Sequence, residues 1–91
     1  MSQSAKAMVT ILNQLGLHAR PAMSFVEAAN GFVADVRVTK GSQSVDGKSI
    51  MQMMMLTATQ GTQLHIEATG DDAEQAVETL RELVAGKFDE E

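Results

Sequence analysis

The sequence predicts an α+β fold: an open-faced β-sandwich in the order βαββαβα, with three helices on one face of a four-stranded antiparallel sheet. Three observations lead there. Two segments, FVADVRVT (32–39) and GTQLHIEAT (61–69), alternate apolar and polar residues, the period of strands with one face buried and the other wet. Two others, beginning near Ala19 and Ala73, repeat apolar residues at helical spacing. Turn signals separate these elements, and no internal repeat, linker or low-complexity run interrupts the 91 residues, so residues 1–91 are expected to form a single domain.

Taken in order, AMVTIL (7–12) is rich in Val, Ile and Leu and suits a strand, which NQLGLH then breaks. From Ala19 onward, Ala22, Phe25, Val26 and Ala29 fall at i, i+3, i+4 and i+7, one face of a helix. Pro21 fits its first turn, where the missing N–H removes no helical bond, and Asn30-Gly31 closes it. Segment 32–39 places Phe32, Ala34, Val36 and Val38 on one face and Val33, Asp35, Arg37 and Thr39 on the other. KGSQ is a turn and SVD a short return strand, which together make a hairpin. Ser49 is placed to cap a short helix, IMQMMMLT. In the last strand Leu64, Ile66 and Ala68 oppose His65 and Glu67. Asp71 with Glu74 has the spacing of a capping box, with Asp in place of Ser or Thr. Ala73, Ala76, Val77, Leu80, Leu83 and Val84 form the buried stripe of the final helix, Gly86 ends it, and the terminal DEE is expected to be a solvated tail.

Composition narrows the function. Without cysteine there is neither a disulfide framework nor thiolate chemistry. The segment MSQSAKAMVTIL has one lysine and no long apolar run, so neither a signal peptide nor a membrane span is expected, and the cytoplasm is the expected location. The net charge of −5, seven scattered Lys and Arg, and three Phe as the only aromatics disfavour an RNA-binding α+β domain, and no nucleic-acid partner is expected. Two histidines far apart, with no cysteine, give no metal site, and no cofactor is expected. His65, on the polar side of a strand, reads as a solvated sheet residue.

The stretch GLHARPA (16–22) carries chemistry. A helix N-terminus leaves N–H groups unpaired and bears positive partial charge, which makes it an anion site. His18 stands just before such a terminus, Arg20 adds a guanidinium that can fork onto two phosphate oxygens, and Gly16 lets the loop approach closely. A ring nitrogen there is a nucleophile for transient phosphorylation, with no metal required. Taken alone, each residue also has a plain structural meaning: His18 as a surface loop histidine, Arg20 as a solvated charge, Ser49 as a helix cap.

GLHARPA resembles the active-site loop of the histidine-containing phosphocarrier protein (HPr) family of the bacterial phosphotransferase system. VDGKSIM (45–51) resembles that family's second signature, around a regulatory serine, and the distance between the two and the βαββαβα order match as well. The resemblance covers about residues 6 to 88. It implies that His18 is phosphorylated through Nδ1, that Arg20 assists the phosphoryl group, and that Ser49 matches a serine phosphorylated by a dedicated kinase in some bacteria. It implies as partners an enzyme I-type protein charged from phosphoenolpyruvate, an enzyme IIA-type acceptor and, where Ser49 is used, a serine kinase/phosphorylase. The chain is then a monomeric carrier rather than a free-standing enzyme.

Some residues depart from the sugar-transport pattern. Leu15 stands where many members have Asn or Ser, and Glu27, Asn30 and Gln52 stand where enteric members carry lysines facing acidic partners. QLGLHARP, MQMMML and KFDEE look more like the nitrogen-related branch, NPr. A short helix lying on a sheet cannot bury Ile50, Met51, Met53, Met54, Met55 and Leu56 together. Met23, Ile50, Met51 and Met54 are therefore expected to form an apolar docking surface beside His18. The alternatives are a general HPr serving sugar uptake, and a regulatory binding module switched at Ser49 with His18 idle.

Overall fold

Period-2 alternation produces four strands whose apolar faces coincide. In the computed structural model, which describes residues 3–89, the order is β1 (Ser4–Thr10), α1 (Ala19–Asn30), β2 (Asp35–Lys40), β3 (Gln43–Asp46), α2 (Ile50–Met55), β4 (Gln63–Thr69) and α3 (Ala73–Ala85), followed by a short turn, Lys87–Asp89. All pairs are antiparallel and the sheet order is β1-β4-β2-β3. The register sets Val9 opposite Leu64, Ala7 opposite Ile66 and Ala5 opposite Ala68, and carries this face on through Val36, Val38 and Val45. The helices cover it: α3 lies on β1 and β4, α2 meets β3, and α1 packs against both other helices. Phe25, Met53, Leu56, Leu80 and Val84 close the core from the helical side, all within 1% of full burial. The other sheet face is polar, with Lys6, Glu67, Arg37 and Asp46 in one cross-strand row and Lys6 3.6 Å from Glu67.

The differences from the sequence expectations have identifiable causes. The first strand runs over 4–10 rather than 7–12. Ile11 still bonds to the far side, donating to Thr62 O at 2.9 Å and accepting from Gly61 N–H at 2.7 Å, but as the start of a loop. The second strand begins at Asp35, not Phe32, because the N–H groups of Val33 and Ala34 donate to the Asp72 carboxylate at 2.9 and 2.8 Å instead of joining a ladder. The same contact overturns the capping box. The N-cap of α3 is Asp72, and its carboxylate leaves the helix end to hold the 33–34 loop. Gly31 closes α1 in a right-handed conformation and Gly86 ends α3 at φ −85°, ψ 12°, so neither takes the left-handed form. α2 stops at Met55, and Thr57 then takes φ +46°, a costly conformation for a β-branched residue. Past Gly86 the chain turns left-handed over Lys87–Asp89 and buries Phe88. Of the terminal DEE, Asp89 is exposed and residues 90–91 lie outside the described residues.

Candidate functional site

The loop from Ile11 to His18 is shaped by hydrogen bonds from three sides. Gln60 Nε2 donates to Leu12 O at 3.1 Å, Gly16 N–H to Asn13 O at 3.1 Å, Asn13 Nδ2 to Gly16 O at 2.6 Å, and Leu17 N–H to Ala58 O at 2.8 Å. Gly16 sits at φ +71°, and a Cβ there would stand 2.6 Å from Ala58 O and 2.9 Å from Thr59 Cα. Both the conformation and the close approach require glycine.

His18 is the N-cap of α1, in extended conformation and half-buried. Its carbonyl accepts the first helical bond from Ala22 N–H at 3.0 Å, and its ring does not cap the helix. Ala19 and Arg20 therefore carry terminal N–H groups with no intrahelical acceptor, and Pro21 has none to satisfy. No acidic side chain occupies the first turn, so the positive helix end is not neutralised within its own helix. Arg20 is exposed beside it, while Pro21 and Ala22 are buried and fix the helix on the core. This arrangement can hold an anion at the helix end next to an imidazole nitrogen.

Ser49 caps α2. Its Oγ accepts from Gln52 N–H at 3.2 Å, and the Gln52 side chain reaches back to accept from Asp46 N–H at 2.9 Å. The Asp46 carboxylate in turn accepts from Lys48 N–H at 2.9 Å. At the other end of the helix, Lys40 Nζ donates to Leu56 O at 2.8 Å and Gln43 Nε2 to Met55 O at 3.3 Å. Lys48 Nζ donates to Phe32 O at 2.8 Å, and Asn30 Nδ2 donates to Val26 O at 2.9 Å and Lys48 O at 3.4 Å, which ties α1 to the Ser49 turn. Gln52 and Asn30, conspicuous in the sequence as missing lysines, thus have internal structural work.

His18, Arg20 and Met23 lie in the first part of α1, and Ser49, Ile50, Met51 and Met54 at the head and along the length of α2, which packs on α1. Met23, Met51 and Met54 are 53%, 78% and 44% exposed, while Met53 is fully buried. Ile50 is only half exposed because it packs against the core, so it offers less surface than the sequence suggests. Met55 on α2 and Leu15 in the loop before His18 are also exposed, at 63% and 74%. Sequence inspection missed Asn13, which reads there as part of a strand break but is fully buried. It also missed the Lys40 and Gln43 caps, whose partners are 16 and 12 residues away. Among the described residues no group of three or more His, Asp or Glu side chains is placed to hold a metal ion.

The family model for the PTS HPr component phosphorylation site matches residues 5–86. The chain belongs to the HPr family. It is 48% identical over 83 residues to the phosphocarrier protein HPr of Pseudomonas aeruginosa, spanning 90% of this chain and 92% of that one. It is 44% identical over 85 residues to that of Neisseria meningitidis serogroup A, spanning 93% and 96%. Among solved structures, an HPr from Thermoanaerobacter tengcongensis superposes with TM-score 0.92 at 41% identity, covering 96% of this chain and 98% of that one. An HPr from Bacillus anthracis superposes with TM-score 0.85 at 40% identity, covering 89% and 96%. The four-stranded open sheet with three helices is thus the HPr architecture, and the chain is an HPr-type phosphocarrier of the phosphotransferase system. Among the described residues no helix is long and apolar enough to cross a membrane.

Proposed function

We propose that this HPr-family phosphocarrier works in the nitrogen-related branch of the phosphotransferase system as a monomeric, single-domain cytoplasmic protein. It accepts a phosphoryl group from a phosphohistidine of an enzyme I-type protein and passes it to a histidine of an enzyme IIA-type protein. The observation that carries this reading is His18 at the N-cap of α1, beside terminal N–H groups and an exposed Arg20, with no carboxylate in the first turn. The Nδ1 lone pair forms an N–P bond as the donor's N–P bond breaks, and the reverse sequence hands the group on. Transferring oxygens carry negative charge throughout. Oriented N–H groups and a guanidinium already in place stabilise that charge without reorganisation. Met23, Ile50, Met51 and Met54 serve as the docking surface, and Ser49 is the acceptor for a regulatory serine kinase where the host has one. The branch assignment rests on the likeness of QLGLHARP, MQMMML and KFDEE to that branch, and on Leu15, Glu27, Asn30 and Gln52 departing from the sugar-transport pattern. A general HPr of sugar uptake is the alternative.

The test is incubation with radiolabelled phosphoenolpyruvate and enzyme I-type proteins of each branch. Wild type should become an acid-labile, base-stable phosphoprotein, faster from the nitrogen-related donor. His18→Ala should fold, by circular dichroism, and take no label. Undiminished labelling of His18→Ala would overturn the assignment of the acceptor, and faster charging from the sugar-branch donor would overturn that of the branch.

A further inference from the structure

The peptide plane between Gly16 and Leu17 is held at both ends. Its carbonyl oxygen accepts from Asn13 Nδ2 at 2.6 Å, and its N–H donates to Ala58 O at 2.8 Å. A peptide unit is planar, so hydrogen bonds at opposite ends fix its orientation. Only the dihedrals of Leu17 and His18 then separate this plane from the first turn of α1. Asn13 grips the same glycine a second time, its backbone carbonyl accepting from Gly16 N–H at 3.1 Å.

Asn13 is the one fully buried polar side chain among the described residues. Burying an amide is costly unless it is hydrogen-bonded, and an apolar side chain of similar size fills such a space at lower cost. Filling the core therefore does not call for an amide here. Orienting the Gly16 carbonyl does. Glycine resists rotation of its flanking bonds less than any other residue, so without the amide donor the carbonyl end of the plane loses its anchor and only the Leu17–Ala58 and Gly16–Asn13 backbone bonds oppose its turning. Turning it draws Leu17 N–H away from Ala58 O and swings the backbone of His18.

We propose that Asn13 is a positioning residue for phosphoryl transfer: it pins the Gly16–Leu17 peptide so that the His18 ring meets the phosphoryl group at the N-terminus of α1. This rests on His18 being the acceptor. Misplacing a reacting group by about 1 Å costs on the order of 100-fold in rate. Removing the pin should therefore lower the turnover of transfer by about 10- to 100-fold. Docking, which uses the exposed methionines, should be unaffected.

The experiment compares Asn13→Leu, Asn13→Ala and, as a control remote from the loop, Val84→Ala in α3. Thermal stability, kcat and KM for transfer from phosphorylated enzyme I-type protein, and hydrogen exchange of the Leu17 amide are measured on each. Both Asn13 variants should lose kcat 10- to 100-fold with KM within about twofold of wild type, and Leu17 exchange should quicken at least tenfold. Asn13→Leu keeps the packing volume, so its loss of rate should exceed anything its stability explains. Val84→Ala should lose stability and keep kcat. Transfer by both Asn13 variants within twofold of wild type would overturn the proposal, as would a rate loss matched in Val84→Ala. Wild type that takes no label on His18 would instead refute the acceptor, and the Leu17 exchange rate would still decide whether Asn13 pins the loop.

Discussion

Two glycines with the same backbone hand separate conformational strain from close approach. Gly16 has φ +71° and Gly41 φ +58°. Alanine in the left-handed region costs about 1–2 kcal/mol, and the stiffer unfolded chain returns about 0.4–1 kcal/mol. At Gly41, in the β2–β3 turn, nothing lies within 4 Å of a new Cβ, so Gly41→Ala should cost about 1 kcal/mol or less. At Gly16 the new Cβ would meet Ala58 O at 2.6 Å and Thr59 Cα at 2.9 Å, both backbone atoms with no flexible end to yield. Forced packing of that kind adds about 1–3 kcal/mol, which brings Gly16→Ala to about 2–4 kcal/mol. In a domain of this size each kcal/mol moves the melting point by about 4–8 °C. Gly16→Ala should therefore melt about 8–32 °C below wild type, and Gly41→Ala no more than about 8 °C below, with the Gly16 shift at least twice the Gly41 shift. Relief of the clash pushes segment 58–59 away and breaks the Leu17–Ala58 bond, so Gly16→Ala should also transfer phosphate at least about tenfold more slowly at a temperature where it is folded. Gly41→Ala should transfer normally. The assays are thermal circular dichroism and single-turnover labelling. Equal melting shifts for the two variants, or transfer by Gly16→Ala within twofold of wild type, would refute the reasoning.

Ser49→Ala should keep transfer and lose about 1 kcal/mol of stability with its cap in urea denaturation, whereas Ser49→Asp should fold and accept phosphate more slowly at subsaturating donor. Met51→Asp and Met54→Asp should raise the Kd for enzyme I-type protein in calorimetry, while wild-type affinity falls only mildly with added salt, because apolar docking is little screened. Hydrogen bonds from Val33 N–H foremost, and then Ala34 N–H, hold the Asp72 carboxyl below the usual carboxylate range. Its contribution is thus present above the unfolded pKa of about 3.9 and lost as pH falls through the lower folded value, so the stability gap between wild type and Asp72→Asn should shrink between neutral pH and about pH 3; a gap constant with pH contradicts the assignment.

What the sequence showed of this molecule was whatever a local period could encode. The α1 boundaries, the hairpin, the α3 stripe and the Ser49 cap all depend on residues within one or two turns of each other, and each formed, with Leu83 half-buried at the edge of the stripe and the return strand starting at Gln43. Asp72 shows where that logic ends. The spacing Asp71-x-x-Glu74 suggested a local cap, but the N-cap is the next residue, Asp72, whose carboxylate binds two N–H groups 38 and 39 residues earlier, and β2 is shortened as a result. Phe88 follows the same rule. Left-handed backbone over Lys87–Asp89 is locally unfavourable, and burial of one aromatic ring is what offsets it. The two signature stretches carried the candidate site, yet the residue that orients it, Asn13, has no periodic or motif signal. Its role exists only once Gly16 and Ala58 are brought together.

The site divides its labour between rigid and adaptable parts. Around His18 nearly every constraint is a backbone group: the terminal N–H groups of α1, the pinned Gly16–Leu17 plane, and the close approach of Gly16 to segment 58–59. Backbone positions tied into a core would hold the ring nitrogen of the proposed acceptor, His18, with little freedom, as efficient transfer requires. The exposed face of α2 is the opposite, with three methionines on a helix of six residues whose backbone is capped at both ends by Ser49, Lys40 and Gln43. Unbranched, polarisable side chains on a fixed helix can repack against differently shaped surfaces. A carrier that takes a phosphoryl group from one protein and gives it to another must present the same nitrogen to two unlike partners. On the proposed reading, with His18 as acceptor and α2 as docking helix, fixed chemistry stands beside a compliant surface, and substitutions in α2 should act on KM while those at Asn13 and Gly16 act on kcat.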